Sequence, residues 1–211
     1  MDGEPGLEQL VGAVRHDAFV ALLHGAPVTV SEIAERRKVP LEPVQAALDQ
    51  LVSAGAAEVF GDGEIVGAHG LTTDATRHAF VVRGRVLHTW CALDVVGIPV
   101  ALGLDAIAST TCPTCGNRLD VPVREGHAKP LPCVLWLPTG PCVHLTRDFC
   151  SVANLFCNAA HADTWMQHAG DVHGRLVSLA ELEDIARAGW ADVAEAGEVL
   201  RVAAAHTEKE Q

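Results

Sequence analysis

Apolar residues recur at helical spacing through residues 7–24, LEQLVGAVRHDAFVALLH, so the chain is expected to open with an amphipathic helix. A short second helix follows in APVTVSEIAERRKV, where Thr29 and Glu32 stand at capping-box spacing and Ser31 is a rival cap. PLEPVQAALDQLVSAG supplies a third, with prolines near its first turn and Gly55 at its end. The period then shortens, and AAEVFGDGEIVGAHG predicts a hairpin turning at Gly61-Asp62-Gly63. Three helices and a hairpin make residues 1–75 a winged-helix-like helical domain.

From residue 76 short strands dominate. HAFVVRG and RVLHTW predict a hairpin, CALDVVGIPVALG a helix and DAIASTT a further strand. A comparable order returns in PCVLWLP and SVANLFC as strands, HADTWMQHA as a helix and GRLVSL as a strand. The last helix, AELEDIARAGWADVAEAGEVLRVAA, is expected to break at Gly189, and the tail 206–211 to be disordered. The expected fold class is α+β: the helical domain 1–75, then a mixed domain 76–205. That second domain would carry antiparallel sheets and repeated strand-strand-helix-strand units.

Charge changes the picture for the first domain. A winged helix suggests DNA, yet residues 1–75 hold four basic side chains (Arg15, Arg36, Arg37 and Lys38) against twelve acidic ones. The would-be recognition helix, 41–54, carries Glu42 and Asp49 and no cation. Groove binding requires Lys or Arg for phosphate neutralisation, so this part is expected to pack against the rest and not to bind nucleic acid. The whole chain carries a formal charge of −12, which also disfavours an anionic membrane. Its longest apolar runs, such as VVGIPVALGL, are too short to span a bilayer. The start MDGEPGLEQL lacks a signal-peptide pattern, and a cytoplasmic setting is expected.

Seven cysteines, an odd number, then favour metal or thiol chemistry over a disulfide framework. Cys91 and Asp94, at i and i+3 at the start of a predicted helix, share one face. A helix N-terminus favours a thiolate, and an acid in the first turn can move its proton. The same spacing also fits a buried Cys beside an acid that complements the helix dipole. Cys150 and Cys157 lie in TRDFCSVANLFCNAAH; were 151–157 a strand, they would face opposite sides. Cys150, at the strand's entry, is then the accessible thiol, and Cys157 looks like packing. Cys112 and Cys115 in TCPTCGNRL form a C-P-x-C-G knuckle, half of a zinc ribbon. No second Cys-x-x-Cys exists, and Cys133, Cys142 and His144 would complete a site only irregularly. Zinc, a reduced thiol pair, a thiol relay and an idle turn all stay open there. His161, His168 and His173 are expected at the surface.

TWCALDVVGIP resembles the signature of the organomercurial (alkylmercury) lyases, whose Trp-Cys-Ala-x-Asp segment supplies a catalytic Cys and Asp. RDFCSVANLF, followed by a helix carrying Trp165, is similar to the segment that supplies their second catalytic Cys. The likeness extends from about residue 30 to 190. It implies Cys91, Asp94 and Cys150 as the catalytic trio, and an N-terminal helical domain packed on a mixed domain with antiparallel sheets. Two positions depart from the family pattern. Ser151 stands where members often have a further Cys, and Cys115 adds a knuckle partner to a Cys usually alone.

The resemblance implies protonolysis of a carbon–mercury bond to a hydrocarbon and Hg(II). Cys91 and Cys150 would bind mercury, and Asp94 would shuttle the proton. No organic cofactor is implied; Hg(II) is the bound product, and Cys112 and Cys115 are candidate ligands of a structural zinc or auxiliary thiols. Partners would be the organomercurial, small thiols that remove the product, and a mercuric reductase. The rival reading is a thiol- or zinc-dependent regulatory winged-helix protein without lyase activity.

Overall fold

The computed structural model describes residues 5–198; the expected tail at 206–211 lies outside them. The first helix, α1 (Leu7–Leu23), buries Leu10, Val14, Ala18, Phe19, Leu22 and Leu23 along one stripe. After the two-residue strand β1 (Val28–Thr29) comes α2 (Val30–Arg37). Thr29, not Ser31, caps it: the Thr29 hydroxyl accepts the Glu32 N–H at 3.3 Å, and the Glu32 carboxylate accepts the Thr29 N–H at 2.7 Å. The third helix, α3 (Leu41–Ser53), starts after Pro40 and stops before Gly55, whose φ is +64°. The hairpin of β2 (Ala57–Phe60) and β3 (Glu64–Ala68) turns at 61–63 as its glycines dictate.

β3 continues into β4 (Leu71–Thr72) through His69 and Gly70, both at positive φ, the conformation a tight two-residue hairpin requires. β5 (Ala79–Val82) and β6 (Arg85–Thr89) form the next hairpin, and α4 (Ala92–Ala101) follows. Then come β7 (Ala106–Thr111), β8 (Arg118–Arg124) and β9 (His127–Ala128). The sequence pattern predicts no strand in the segment containing β8 and β9. Its Pro122 breaks the usual pattern, yet Arg118 to Val123 of β8 pair with β7. Among the described residues, β1 to β9 form one antiparallel sheet, ordered β1-β3-β4-β6-β5-β7-β8-β9 with β2 on the other side of β3. β4 pairs with β6, Leu71 opposite Thr89, so this sheet runs unbroken past residue 75.

The second sheet has three antiparallel strands: β10 (Val134–Pro138) between β11 (Asn154–Phe156) and β12 (Gly174–Ser178). Two expectations for 145–157 need correction. Leu145–Cys150 is a π-helix, and the strand begins only at Asn154, so Cys150 ends a helical turn and is not the entry of a strand. Among the described residues, α5 (Ala159–Met166) and α6 (Leu179–Gly189) complete the main elements; α6 ends at Gly189 as expected, followed by a 3₁₀ turn at Ala191–Val193, and the 199–205 end of the expected last helix lies outside the described residues. The architecture is α+β with antiparallel sheets.

α4 lies at the centre. Residues Ala92 to Val100 are all buried, which explains why its sequence is apolar on every side except at Asp94. Gly97 permits the crossing with α6: a Cβ there would stand 2.8 Å from the Trp190 ring. A single apolar core holds α1, α3, α4, α6 and both sheets, and a small satellite gathers Cys112, Trp136, Phe156 and Ala162 beside Trp165.

Candidate functional site

The N-terminus of α4 is where chemistry concentrates. Cys91 is its N-cap, with extended backbone, and Asp94 is the third residue of the helix. The pair forms a capping box in which a thiol takes the place of the usual hydroxyl. The Asp94 N–H points at the Cys91 sulfur, and the Asp94 carboxylate accepts the Cys91 N–H at 3.0 Å. Behind them, Thr89 Oγ1 donates to the Cys91 carbonyl at 3.3 Å. Gly70 presses on the carboxyl from the neighbouring hairpin: a Cβ at that residue, whose φ is +96°, would sit 2.9 Å from Asp94 Cγ.

Cys150 arrives from the opposite side. Its π-helix is seated on the end of α3, where the Leu145 N–H donates to the Ala54 carbonyl at 2.8 Å and the His144 ring covers Gly55. Asp148 fastens the start of that turn by accepting the Val143 and His144 N–H groups at 2.9 and 2.8 Å. Just beyond, the Ala92 N–H donates to the Ala153 carbonyl at 3.2 Å, joining the Cys150 segment to the first turn of α4. The result is convergence: one ligand atom from each of Cys91, Asp94 and Cys150 lies within 4.8 Å of the other two. Sequence spacing placed Cys91 beside Asp94; the fold adds Cys150.

All three side chains are almost closed from water, at 0%, 5% and 7% exposure. Burial dominates the acidity of Cys91 and Asp94. It pushes the Cys91 thiol well above its usual range, helped by the hydrogen bond with Cys150 and the nearby Asp94 charge. It also raises Asp94 to about 7, the hydrogen bonds from Cys91 restraining the rise. Cys91 therefore rests as a thiol, with a carboxyl poised near neutrality between two soft donors. Such a set can bind a thiophilic metal and exchange a proton at the same place.

The remaining expected site residues form a second cluster. Cys112 and Cys115 meet Cys157 and His161, and all four ligand atoms lie within 4.8 Å of one another. One expectation is thus corrected, since His161 is half-buried and drawn in from the surface; Cys157, also half-buried, packs against the satellite core as expected and places its sulfur in this cluster. Among the described residues, Cys133, Cys142 and His144 do not complete it. His168 and His173 are exposed as expected. The missed signal was the Cys-x-x-x-His spacing of 157 and 161, read without its Cys-x-x-Cys counterpart.

A family model described as alkylmercury lyase matches residues 71–191. Alkylmercury lyase of Bacillus cereus is 29% identical over 177 residues, covering 79% of this chain and 75% of that protein. Alkylmercury lyase of Staphylococcus epidermidis is 34% identical over 152 residues, covering 70% and 68%. The solved mercury-bound form of MerB2 shares the fold, with a TM-score of 0.77 at 23% identity, over 90% of this chain and 92% of that one. With more than half of its length matched by the family model, and a trio of two thiols and a carboxyl inside the matched stretch, the chain belongs to the alkylmercury lyase family.

Proposed function

We propose that this protein cleaves the carbon–mercury bond of organomercurials by protonolysis, with Cys91 and Cys150 as mercury ligands and Asp94 as proton carrier. The observation that carries the reading is the convergence of these three side chains from two distant segments. For a substrate R–Hg–X, one cysteine sulfur displaces X, and its proton passes to Asp94 or leaves with X as HX. The second sulfur then binds mercury, its own proton going to whichever of X and the Asp94 carboxylate the first did not supply, and pushes electron density onto the carbon. Asp94 delivers a proton to that carbon, the carbon–mercury bond breaks, and R–H departs. In balance, R–Hg–X and two thiols give R–H, HX and Hg(II) held by two thiolates. Mercury favours sulfur, so the metal–sulfur bonds drive the exchange.

The acidities suit these roles. A carboxyl near 7 accepts and returns a proton at neutral pH with little cost either way. The dry surroundings that raise it also keep water from competing for the carbon. No organic cofactor enters. Small thiols would carry the Hg(II) away, a mercuric reductase would receive it, and the setting would be cytoplasmic.

We also read residues 1–75 as a winged-helix-like part and 76–205 as the catalytic part. This division of roles is supported by α1 to α3 preceding a hairpin, and by the whole trio falling after residue 75. The helical part acts as a buttress, supported by the seating of the Cys150 turn on Ala54 and Gly55. Repeated strand-strand-helix-strand units are supported by a shared order. β5 lies between β6 and β7, β10 lies between β11 and β12, and each helix follows the second strand.

The test is direct. Protein incubated with methylmercury or phenylmercury and excess thiol should release methane or benzene, measured by gas chromatography. Cys91→Ser, Cys150→Ser and Asp94→Ala should each abolish release, while Cys142→Ser, at an exposed residue outside the trio, should retain it. Full turnover in Cys150→Ser would show that a different second sulfur serves.

A further inference from the structure

We propose that Cys112, Cys115, Cys157 and His161 form a second metal centre, a closed four-ligand site for one structural zinc ion, separate from the lyase trio. The donor set is three sulfurs and one imidazole, a combination that tetrahedral zinc sites use. The distances fit. With Zn–S bonds of about 2.3 Å, tetrahedral geometry puts neighbouring sulfurs roughly 3.8 Å apart, and a sulfur and a nitrogen slightly closer. Here the Cys115 and Cys157 sulfurs are 3.6 Å apart, and the Cys112 sulfur is 3.6 Å from His161 Nδ1. Packing alone gives no reason to gather three thiols and an imidazole this tightly, for thiols are weak donors and weak acceptors to one another.

Each half of the site is held from behind. The knuckle closes as a turn: the Cys112 N–H donates to the Asn117 carbonyl and the Gly116 N–H to the Cys112 carbonyl, both at 2.9 Å. Gly116 supplies the required positive φ of +73°. On the other half, Asn158 caps α5 by accepting the His161 N–H at 3.0 Å, which fixes the histidine on the first turn. Thr114 Oγ1 links the two halves by donating to the His161 carbonyl at 2.7 Å.

Backbone N–H groups of Thr114, Cys115 and Cys157 are aimed at the Cys112 sulfur, and His161 Nδ1 stands beside it. Donors arranged around a sulfur in this way favour the thiolate, the form a metal takes. The location explains what an ion would do. Cys112 and Cys115 follow β7 of the large sheet, and Cys157 and His161 lie between β11 and the first turn of α5, on the small one. The apolar satellite beneath has four buried members, Cys112 itself among them, so an ion joining the two sheets would supply what that cluster lacks. Zinc is favoured over mercury because four convergent ligands suit a tetrahedral ion, whereas Hg(II) is content with two.

Protein purified without chelator should contain one zinc per chain by atomic emission. Cys115→Ser and His161→Ala should lose it, and Cys91→Ser should keep it, so the outcome is independent of the lyase reading. Refolding the wild type with Co(II) should give the visible bands and sulfur-to-cobalt charge transfer of a tetrahedral thiolate site, whether or not the variants fold. A strong chelator should lower the Tm. Wild-type protein that contains no zinc, takes up neither Zn(II) nor Co(II) and keeps its Tm with chelator would overturn the proposal. So would zinc retained in Cys115→Ser and His161→Ala but lost in Cys91→Ser.

Discussion

Replacing Asp94 by Asn should stabilise the resting protein while destroying its chemistry, and the gain should depend on pH in one direction. The folded carboxyl titrates at about 7 against an ordinary 3.8. The folded state therefore holds this proton more tightly than the unfolded chain does. Stability from it is complete below 3.8, falls as pH rises toward 7, and is flat above. At about 1.4 kcal/mol per pH unit, the displacement costs on the order of 4 kcal/mol at pH 8.

Asn is neutral throughout and keeps an oxygen to accept the Cys91 N–H. The stability difference between variant and wild type should grow by about 4 kcal/mol between pH 4 and pH 8. Urea denaturation at several pH values measures it. Two other groups titrate nearby: burial lowers His69 and His78 to about 4, so they cost stability as pH falls below 6.5. They are common to both proteins and cancel in the difference. A fixed offset from the amide's own hydrogen bonds moves the curve without tilting it. A difference that stays level across this range would refute the account of Asp94 as a buried, raised acid.

Two further outcomes follow from particular residues. Gly70→Ala adds a Cβ 2.9 Å from Asp94 Cγ at a φ of +96°, so it should cost about 1–3 kcal/mol and slow hydrocarbon release. Unchanged Tm together with unchanged turnover would show that the turn relaxes away from the carboxyl. No DNA should be retained in a gel shift at low salt, because the exposed face of α3 presents Glu42 and Asp49 and no cation; a retained band would reopen the regulatory reading.

The sequence was most informative where local chemistry decides structure. Thr29 with Glu32, the glycines at 61 and 63, and the break at Gly189 each specify their element within a few residues. Cys91 and Asp94 belong with these, since a capping box is a local object. The stretch 145–157 resisted for a physical reason. A π-helix closes i to i+5 bonds, as from the Ser151 N–H to the Thr146 carbonyl, and one turn leaves no readable period. With the strand starting at Asn154, alternation counted from 151 carried no meaning, and Cys157 was assigned a role by a parity that does not exist there. The meeting of Cys112 with Cys157 and His161 depends on how two sheets dock, which neither knuckle nor helix encodes alone.

The bond from the Ala92 N–H to the Ala153 carbonyl acts as a gauge block for the proposed reaction centre. Cys150 stands only three residues before that anchor and Cys91 one residue before it, so chain length itself sets the gap between the sulfurs. Adding a single residue between Cys150 and Ala153 would displace one thiol by up to about 3.5 Å, enough to part it from its mate. Length variation among natural relatives should accordingly be forbidden in that short span and tolerated around Gly140, upstream of the turn.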